Sequence, residues 1–233
     1  MGWKSEKEKW VVACVFKGGG DFTEDHVQSL KAQVKRHFQA DHDFVCVTDQ
    51  YVGLCRKEYL WYDWEGWWSK LNLFLMNDRD RYNGRPVFYL DLDTVITDDF
   101  LPQMPETNEF WMIRDFCAWG NPRYESRWWA SGLMAWKGDF SFIAKSARMQ
   151  GIKEVMRLYL WDQIWINHCL RLGVEEGKYV RKAIEDVLRV KSYKVHGLQE
   201  RLPDPPDRPQ IVCFHGKPRP WEVNTPWVVE ARG

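Results

Sequence analysis

Two aspartates one residue apart, Asp91-Leu92-Asp93, follow the apolar run Val87-Phe88-Tyr89-Leu90 in mid-chain. Carboxylates spaced i, i+2 at a strand end can both turn toward one cation, directly or through water, and such hard oxygen donors suit Mn²⁺ or Mg²⁺. A cation held there would neutralise a diphosphate and make a nucleoside diphosphate a better leaving group. The pattern is weak alone, because acidic pairs are common on surfaces; its place at a strand end gives it weight. A second cluster is His215-Gly216-Lys217-Pro218-Arg219-Pro220-Trp221. A neutral imidazole there completes a mixed carboxylate and imidazole shell of the kind Mn²⁺ accepts, and Lys217 or Arg219 supplies positive charge for a phosphate.

The elements that must position these groups are legible as an alternation. Residues 9–16 and 43–49 read as short buried strands. Between them a glycine loop, 17–23, leads into a helix over 24–38 with Thr23 or Asp21 as its cap. Residues 64–75 carry apolar positions at helical spacing, and 85–97 reads as one strand that runs into the acidic pair. Further strands are expected over 109–116, 128–136 (broken at Gly132), 187–195 and 210–216, with helices around 139–149 and 162–173. Prolines keep 202–209 irregular. Strand, helix, strand implies an α/β fold, a mostly parallel sheet flanked by helices, and ligands of such sheets bind beyond the carboxyl ends of the strands. The polar clusters fall there. Neither an internal repeat nor a linker is evident, so residues 1–233 are expected to form one domain.

Composition bounds the rest. With 45% hydrophobic and 28% charged residues over 233 positions, the chain has the make-up of a globular protein and not a disordered one. The N-terminus lacks the apolar core of a signal peptide, and no run of eighteen apolar residues occurs. Six scattered cysteines (14, 46, 55, 117, 169, 213) form no CxxC pair. A reduced, cytoplasmic protein is therefore expected. Net charge is zero but uneven: 20 Asp+Glu against 14 Lys+Arg over 1–119, then 18 Lys+Arg against 11 Asp+Glu over 120–220. Of fifteen tryptophans many must be core, and an exposed minority could stack on sugar rings or nucleobases.

Four motifs in order, FYLDLD (88–93), ASGLMAW (130–136), DQIWIN (162–167) and FHGKPRPW (214–221), resemble those of the glycogenin and bacterial lipopolysaccharide galactosyltransferase group, the family-8-like retaining glycosyltransferases of GT-A (Rossmann-like) fold. The resemblance spans residues 9–221 and rests on these motifs alone. It implies a metal-dependent glycosyltransferase (a hexosyltransferase) taking its sugar from a nucleoside diphosphate, UDP in most relatives. Asp91, Asp93 and His215 would hold Mn²⁺ (or Mg²⁺), and Lys217 would meet the diphosphate. Asp162 and Gln163 would lie near the transferred sugar and acceptor. Phe16, Lys17 and Asp49 would hold the nucleoside, and Lys70 the donor phosphate or sugar. Leu92, Ser131, Gly132 and Gly216 belong to the same donor-binding motifs. The C-terminal motif is compressed relative to the family's HxxGxxKPW, which leaves the phosphate contact open between Lys217 and Arg219 and stereochemistry open between retention and inversion. A glycan, lipid-linked or protein hydroxyl is favoured as acceptor over a modified base of phage DNA, which the basic surplus after residue 120 keeps in view.

Each residue also has a plainer reading. Lys70 could snorkel from an apolar helix face, the glycines at 18–20 could form only a turn, and Asp162 could cap a helix. Two other functions compete. DLDTVITDD also fits the strand end of haloacid-dehalogenase-type phosphatases, although that motif belongs on the first strand of its fold and is followed by an acidic pair missing here. A non-catalytic, tryptophan-rich carbohydrate-binding protein would leave the polar strand ends unexplained.

Overall fold

The computed structural model of the chain describes residues 9–53, 55–78, 82–116 and 129–233. Cys117, Trp128 and the N-terminal segment lie outside the described residues. The leading strand β1 (Trp10–Phe16) is followed by α1 (Glu24–His37) and β2 (His42–Thr48), as the alternation predicts. A short polar strand, β3 (Arg56–Tyr59), then joins the edge. The chain continues through β4 (Val87–Leu90), β5 (Thr94–Ile96), β6 (Glu109–Arg114) and β7 (Trp129–Trp136). Helices α2 (Phe142–Gln150), α3 (Ile152–Tyr159) and α4 (Asp162–Glu175) follow. Last come β8 (Val180–Ala183), β9 (Val190–Ser192), β10 (Ile211–Cys213) and α5 (Pro226–Arg232).

The main sheet has the order β3-β2-β1-β4-β7-β6-β8. Strands β3, β2, β1 and β4 are mutually parallel, β7 runs antiparallel to β4 and β6, and β8 is parallel to β6. Alternation along β1 sets the two cores. Val11 and Ala13 face Leu71, Phe74, Trp136 and Trp165, whereas Trp10, Val12 and Cys14 face Val27, Leu30 and Val34 of α1. Trp136 and Trp165 are almost wholly buried, each large side chain contributing roughly 1.5–3 kcal/mol by leaving water. A small sheet, β5-β10-β9, packs Val95, Val212, Tyr193 and Phe214 against Val228 of α5.

Three expectations change. The strand predicted over 85–97 is two strands in two sheets: the chain turns at the acidic pair, where the Thr94 amide donates to the Asp91 carbonyl at 3.1 Å. The helix predicted over 64–75 is a 3₁₀ helix over Gly66–Asp78, and Trp68 to Met76 are buried in unbroken succession. A segment enclosed on all sides gains nothing from a 3.6-residue stripe, and its tighter winding extends well past the few residues usual for this form. Finally, β7 runs as one strand through Gly132, yet its pairing with β6 is interrupted there: Met134 pairs with Met112 and Ala130 with the adjacent Ile113, so Ser131, Gly132 and Leu133 are extra residues on the β7 side.

Candidate active site

The carboxyl ends of β1 and β4, the start of β7, the N-terminus of α4 and the loop after β10 surround one cavity of about 900 Å³. Its placement follows from register. Leu90 pairs with Leu133, which sets Asp91 beside Gly132, and the Asp91 amide donates to the Gly132 carbonyl at 2.9 Å. A Cβ at residue 132 would stand 3.3 Å from Asp91 Oδ2, so the missing side chain makes room for the carboxylate itself.

Lys70 lies at the centre. Its Nζ is 3.2 Å from Asp91 Oδ1, 3.0 Å from Asp162 Oδ2 and 3.1 Å from Ser131 Oγ, and Ser131 Oγ is 3.1 Å from Asp162 Oδ2. With its side chain 8% exposed, Lys70 does not snorkel to solvent. Burial works against its charge, but Asp162 and Asp91 overcome that and raise its proton affinity above the ordinary lysine value. Tyr89 donates its hydroxyl to Asp91 Oδ1. Burial pushes Asp91 up from the usual carboxylate range, while Lys70 and Tyr89 pull it back.

Asp93 has a different partner, Arg219, whose Nη1 contacts Asp93 Oδ2. Burial and the neighbouring charge of Asp91 lift Asp93 to about 7 against the opposing pull of Arg219. The guanidinium also lies over the Phe22 ring at 5.2 Å and 3.8 Å from Asp21. Its buried Nε finds no acceptor among the described residues. At the β1 end, Lys17 Nζ pairs with Asp49 and, at 2.6 Å, with Asp63, and the Gly18 amide donates to Asp49 Oδ1 at 2.9 Å. Partial burial disfavours the Asp49 charge, but the hydrogen bonds from Lys17, Gly18 and Gln50 prevail and bring it down to about 2.

The predicted residues thus divide. Lys17, Lys70, Asp91, Asp93, Ser131, Gly132, Asp162, Gln163, His215 and Gly216 all line the cavity. Phe16 and Leu92 instead turn into the core beside α1. Asp49 acts on the wall through Lys17. Lys217 is 74% exposed and reaches Glu222 at 3.2 Å, away from the lining residues, and Arg219 takes the inward position. Asp162 begins the first turn of α4 after Trp161, so it is not the cap. Among the described residues no three His, Cys, Asp or Glu side chains assemble around a common point for a metal. His215 Nε2 is 2.6 Å from Ser192 Oγ, and burial and Lys194 lower its proton affinity, keeping it neutral. Asp91 and Asp93 are the pair suited to a hard divalent cation, and His215 lines the same cavity as a neutral imidazole. Two carboxylates fit an ion that completes its shell with water and substrate phosphate. The demand for positive charge is visible in the lining, where five aspartates face two lysines and one arginine. Trp67, Ser69 and Trp161 line the wall without belonging to any of the four motifs, and Tyr89 lies within FYLDLD without a role the motif assigns; proximity in the fold brings them there, beside Asp115, a carboxylate that the sequence offers as a base for an inverting reaction.

No protein-family model matches the sequence, nor does any curated protein. Solved structures do share its fold. A crystal structure of the galactosyltransferase LgtC in complex with donor and acceptor sugar analogs superposes with a TM-score of 0.59 at 14% identity, covering 96% of this chain and 95% of that one. The bifunctional glycosyltransferase WbbM gives 0.58 at 14% identity over 96% of this chain and 51% of its own. GlyE of Streptococcus pneumoniae TIGR4 gives 0.54 at 10% identity, over 92% and 56%. The chain has the GT-A architecture of these glycosyltransferases. No helix among the described residues is long and apolar enough to cross a membrane.

Proposed function

We propose that the chain is a glycosyltransferase, of the family-8-like group its motifs resemble, that moves a hexosyl unit from a nucleoside diphosphate sugar, UDP-linked by preference, to a hydroxyl acceptor. The observation that carries this reading is the convergence of Lys70, Asp91, Asp93, Asp162 and Arg219 on one cavity at the carboxyl ends of β1 and β4, in a fold shared with glycosyltransferases. The Lys17–Asp49 pair and the glycine loop suit the nucleoside end. Asp91 and Asp93 would hold Mn²⁺ or Mg²⁺, whose charge stabilises a departing diphosphate.

The protein's own groups do the remaining work. The acceptor oxygen bonds to the anomeric carbon as the bond from that carbon to the phosphate oxygen breaks, and the diphosphate leaves with the electron pair. Arg219 faces the cavity with an unpartnered buried Nε, and a phosphate oxygen is the acceptor that suits it. Lys70 fixes the orientation of Asp91 and Asp162 and supplies preorganised positive charge near the reacting centre. The acceptor proton passes to the departing phosphate if configuration is retained, or to a carboxylate such as Asp115 or Asp162 if it is inverted. Asp162 is already engaged by Lys70 and Ser131, which favours a positioning role for it.

The test is release of nucleoside diphosphate from a panel of UDP- and GDP-sugars with Mn²⁺ or Mg²⁺. Release that stops on adding excess EDTA is the expected result. No release from any sugar nucleotide would remove the reading, and metal-dependent release of phosphate from simple monoesters would replace it with the phosphatase alternative.

A further inference from the structure

Two large indoles at the site are left exposed. Trp67 is 52% exposed and Trp161 50%, in a protein whose other large aromatics mostly lie in its cores. Their rings adjoin, with centroids 5.2 Å apart and planes tilted by 38°, and both line the cavity. Each is tied to the charged centre. Trp67 precedes Lys70 by three residues on the 3₁₀ helix, Trp161 directly precedes Asp162, and Lys70 and Asp162 are ion-paired at 3.0 Å. The chain thus ties both indoles to Lys70 and Asp162, the groups that the proposed reaction sets near the transferred sugar, and neither to the Lys17–Asp49 end.

The backbone that presents Trp161 is held in a disfavoured form. Leu160 has φ 58°, the one positive value at a non-glycine residue among the described residues. Its own side chain is 65% exposed, so its packing does not account for that conformation. What the conformation does is carry the chain from α3 into α4 with Trp161 turned to the cavity wall.

We infer that Trp67 and Trp161 form the acceptor platform and that the acceptor is a neutral sugar ring stacked on their faces. Indole faces bind the C–H faces of pyranoses and equally the faces of nucleobases. Charge separates the two classes. Among the described lining residues aspartates outnumber lysines and arginines by five to three, and Lys17, Lys70 and Arg219 are each paired with a carboxylate. A donor diphosphate enters with its own cation, but a nucleic acid would bring a run of further phosphates with no cationic track among the described lining residues to receive them. A neutral glycan meets no such cost.

This inference rests on the proposed transferase reading, and the experiment separates the two. Purified protein is given each active sugar nucleotide with Mn²⁺ and a panel of neutral acceptors (methyl pyranosides, lactose, maltose, cellobiose) or single-stranded DNA, and transfer is measured against hydrolysis by water. A neutral sugar should serve as acceptor, and Trp161→Ala and Trp67→Ala should each lower the ratio of transfer to hydrolysis by about tenfold or more. Trp161→Phe should recover most of that loss. Asp49→Asn, at the donor end, should lower transfer and hydrolysis in parallel. An unchanged ratio in both alanine variants, or transfer to DNA in place of sugars, overturns the platform. Should no sugar nucleotide be consumed, the donor reading fails by itself. The platform is then judged by saturation-transfer NMR with the same glycosides: signals on the pyranose C–H protons that vanish in Trp161→Ala support it, and their absence from the unmutated protein overturns it.

Discussion

The two carboxylates of the acidic pair sit two residues apart and live in different surroundings. Asp91 is held from several sides, by Lys70, by the Tyr89 hydroxyl and by the Gly132 carbonyl, to which its backbone amide donates. Asp93 depends on Arg219, which arrives from the far end of the chain. The first carboxylate, a third exposed, joins a network built on the buried Lys70 and Asp162, whose members fix one another; burial raises the proton affinity of both carboxylates, and that of the second is lifted to about 7 by burial and by Asp91. A network of the first kind is costly to break, because removing one member strands the others without water. A pair of the second kind is easier to rearrange around an arriving cation. We therefore assign Asp91 chiefly to holding the site together and Asp93 chiefly to receiving charge.

The largest effect should come from the network. Lys70→Met leaves Asp162 buried without its cation and strips the half-buried Asp91 of its partner, which should cost about 3–5 kcal/mol and lower the melting temperature by roughly 10 °C. Thermal denaturation followed by circular dichroism measures this directly. A variant that melts with the unmutated protein would show that Lys70 does not hold the cluster together.

Asp93→Asn should do the reverse, with a large loss of activity and little loss of fold. Asparagine keeps an oxygen for Arg219 and removes the like charge beside Asp91. Nucleoside diphosphate release should fall by about 100-fold or more, worth roughly 2.7 kcal/mol of transition-state stabilisation, while the melting temperature moves by no more than a few degrees. Matching losses of activity and stability would erase the distinction between the two aspartates.

Why the sequence revealed Asp91 and Asp93 but not this division is a matter of range. The acidic pair, the apolar strand before it and the alternation of strands and helices are local patterns, and the fold class follows from them. The edge strands β3 (RKEY) and β8 (VRKA) carry no apolar alternation, so nothing marks them before the sheet is assembled. Most of the 3₁₀ helix, Trp68 to Met76, is buried without interruption, which blurs the periodicity that would have identified its winding. The contact between Asp93 and Arg219 spans 126 positions, and no spacing rule ranks Arg219 above Lys217. Lys70 could be singled out only through the family resemblance, since a lysine on an apolar face snorkels as readily as it pairs.

A smaller effect belongs to the β1 end, where Asp49 is held at about 2 against an ordinary value of 3.8. A carboxylate whose folded value is depressed adds stability that is present above its unfolded value and is lost as pH falls toward the folded one. The window here runs from about 4 down to about 2. Allowing for its partial exposure, the contribution is on the order of 1–2 kcal/mol. Asp49→Asn should therefore destabilise the protein at pH 7 by that amount, and the difference from the unmutated protein should close as pH is lowered through this window. A difference independent of pH in urea denaturation would mean that Lys17 and Gly18 do not stabilise the charged form.

The smallest effect should be that of Lys217→Ala, and it bears on how the compressed C-terminal motif is used. Lys217 and Arg219 are both cations close to a proline, and the motif resemblance alone leaves either as the phosphate contact. The structure sends them apart: Lys217 is mostly exposed and reaches Glu222, whereas Arg219 turns inward to Asp93 with a buried Nε left to donate. An exposed pair of this kind contributes little to stability, about 0–1 kcal/mol, and its lysine meets no group that changes charge during transfer. Lys217→Ala should thus leave nucleoside diphosphate release within about twofold and melting nearly unchanged. Arg219→Ala supplies the contrast, with release reduced by about 10–100-fold, because a charge facing the departing diphosphate matters most in the transition state. Arg219→Lys should recover only part of that loss, since an ammonium cannot reproduce the planar fork that reaches Asp93 and a phosphate together. If Lys217→Ala instead loses activity while Arg219→Ala retains it, the loop after β10 must rearrange when the donor binds, and the inward cation is not the one that meets the phosphate.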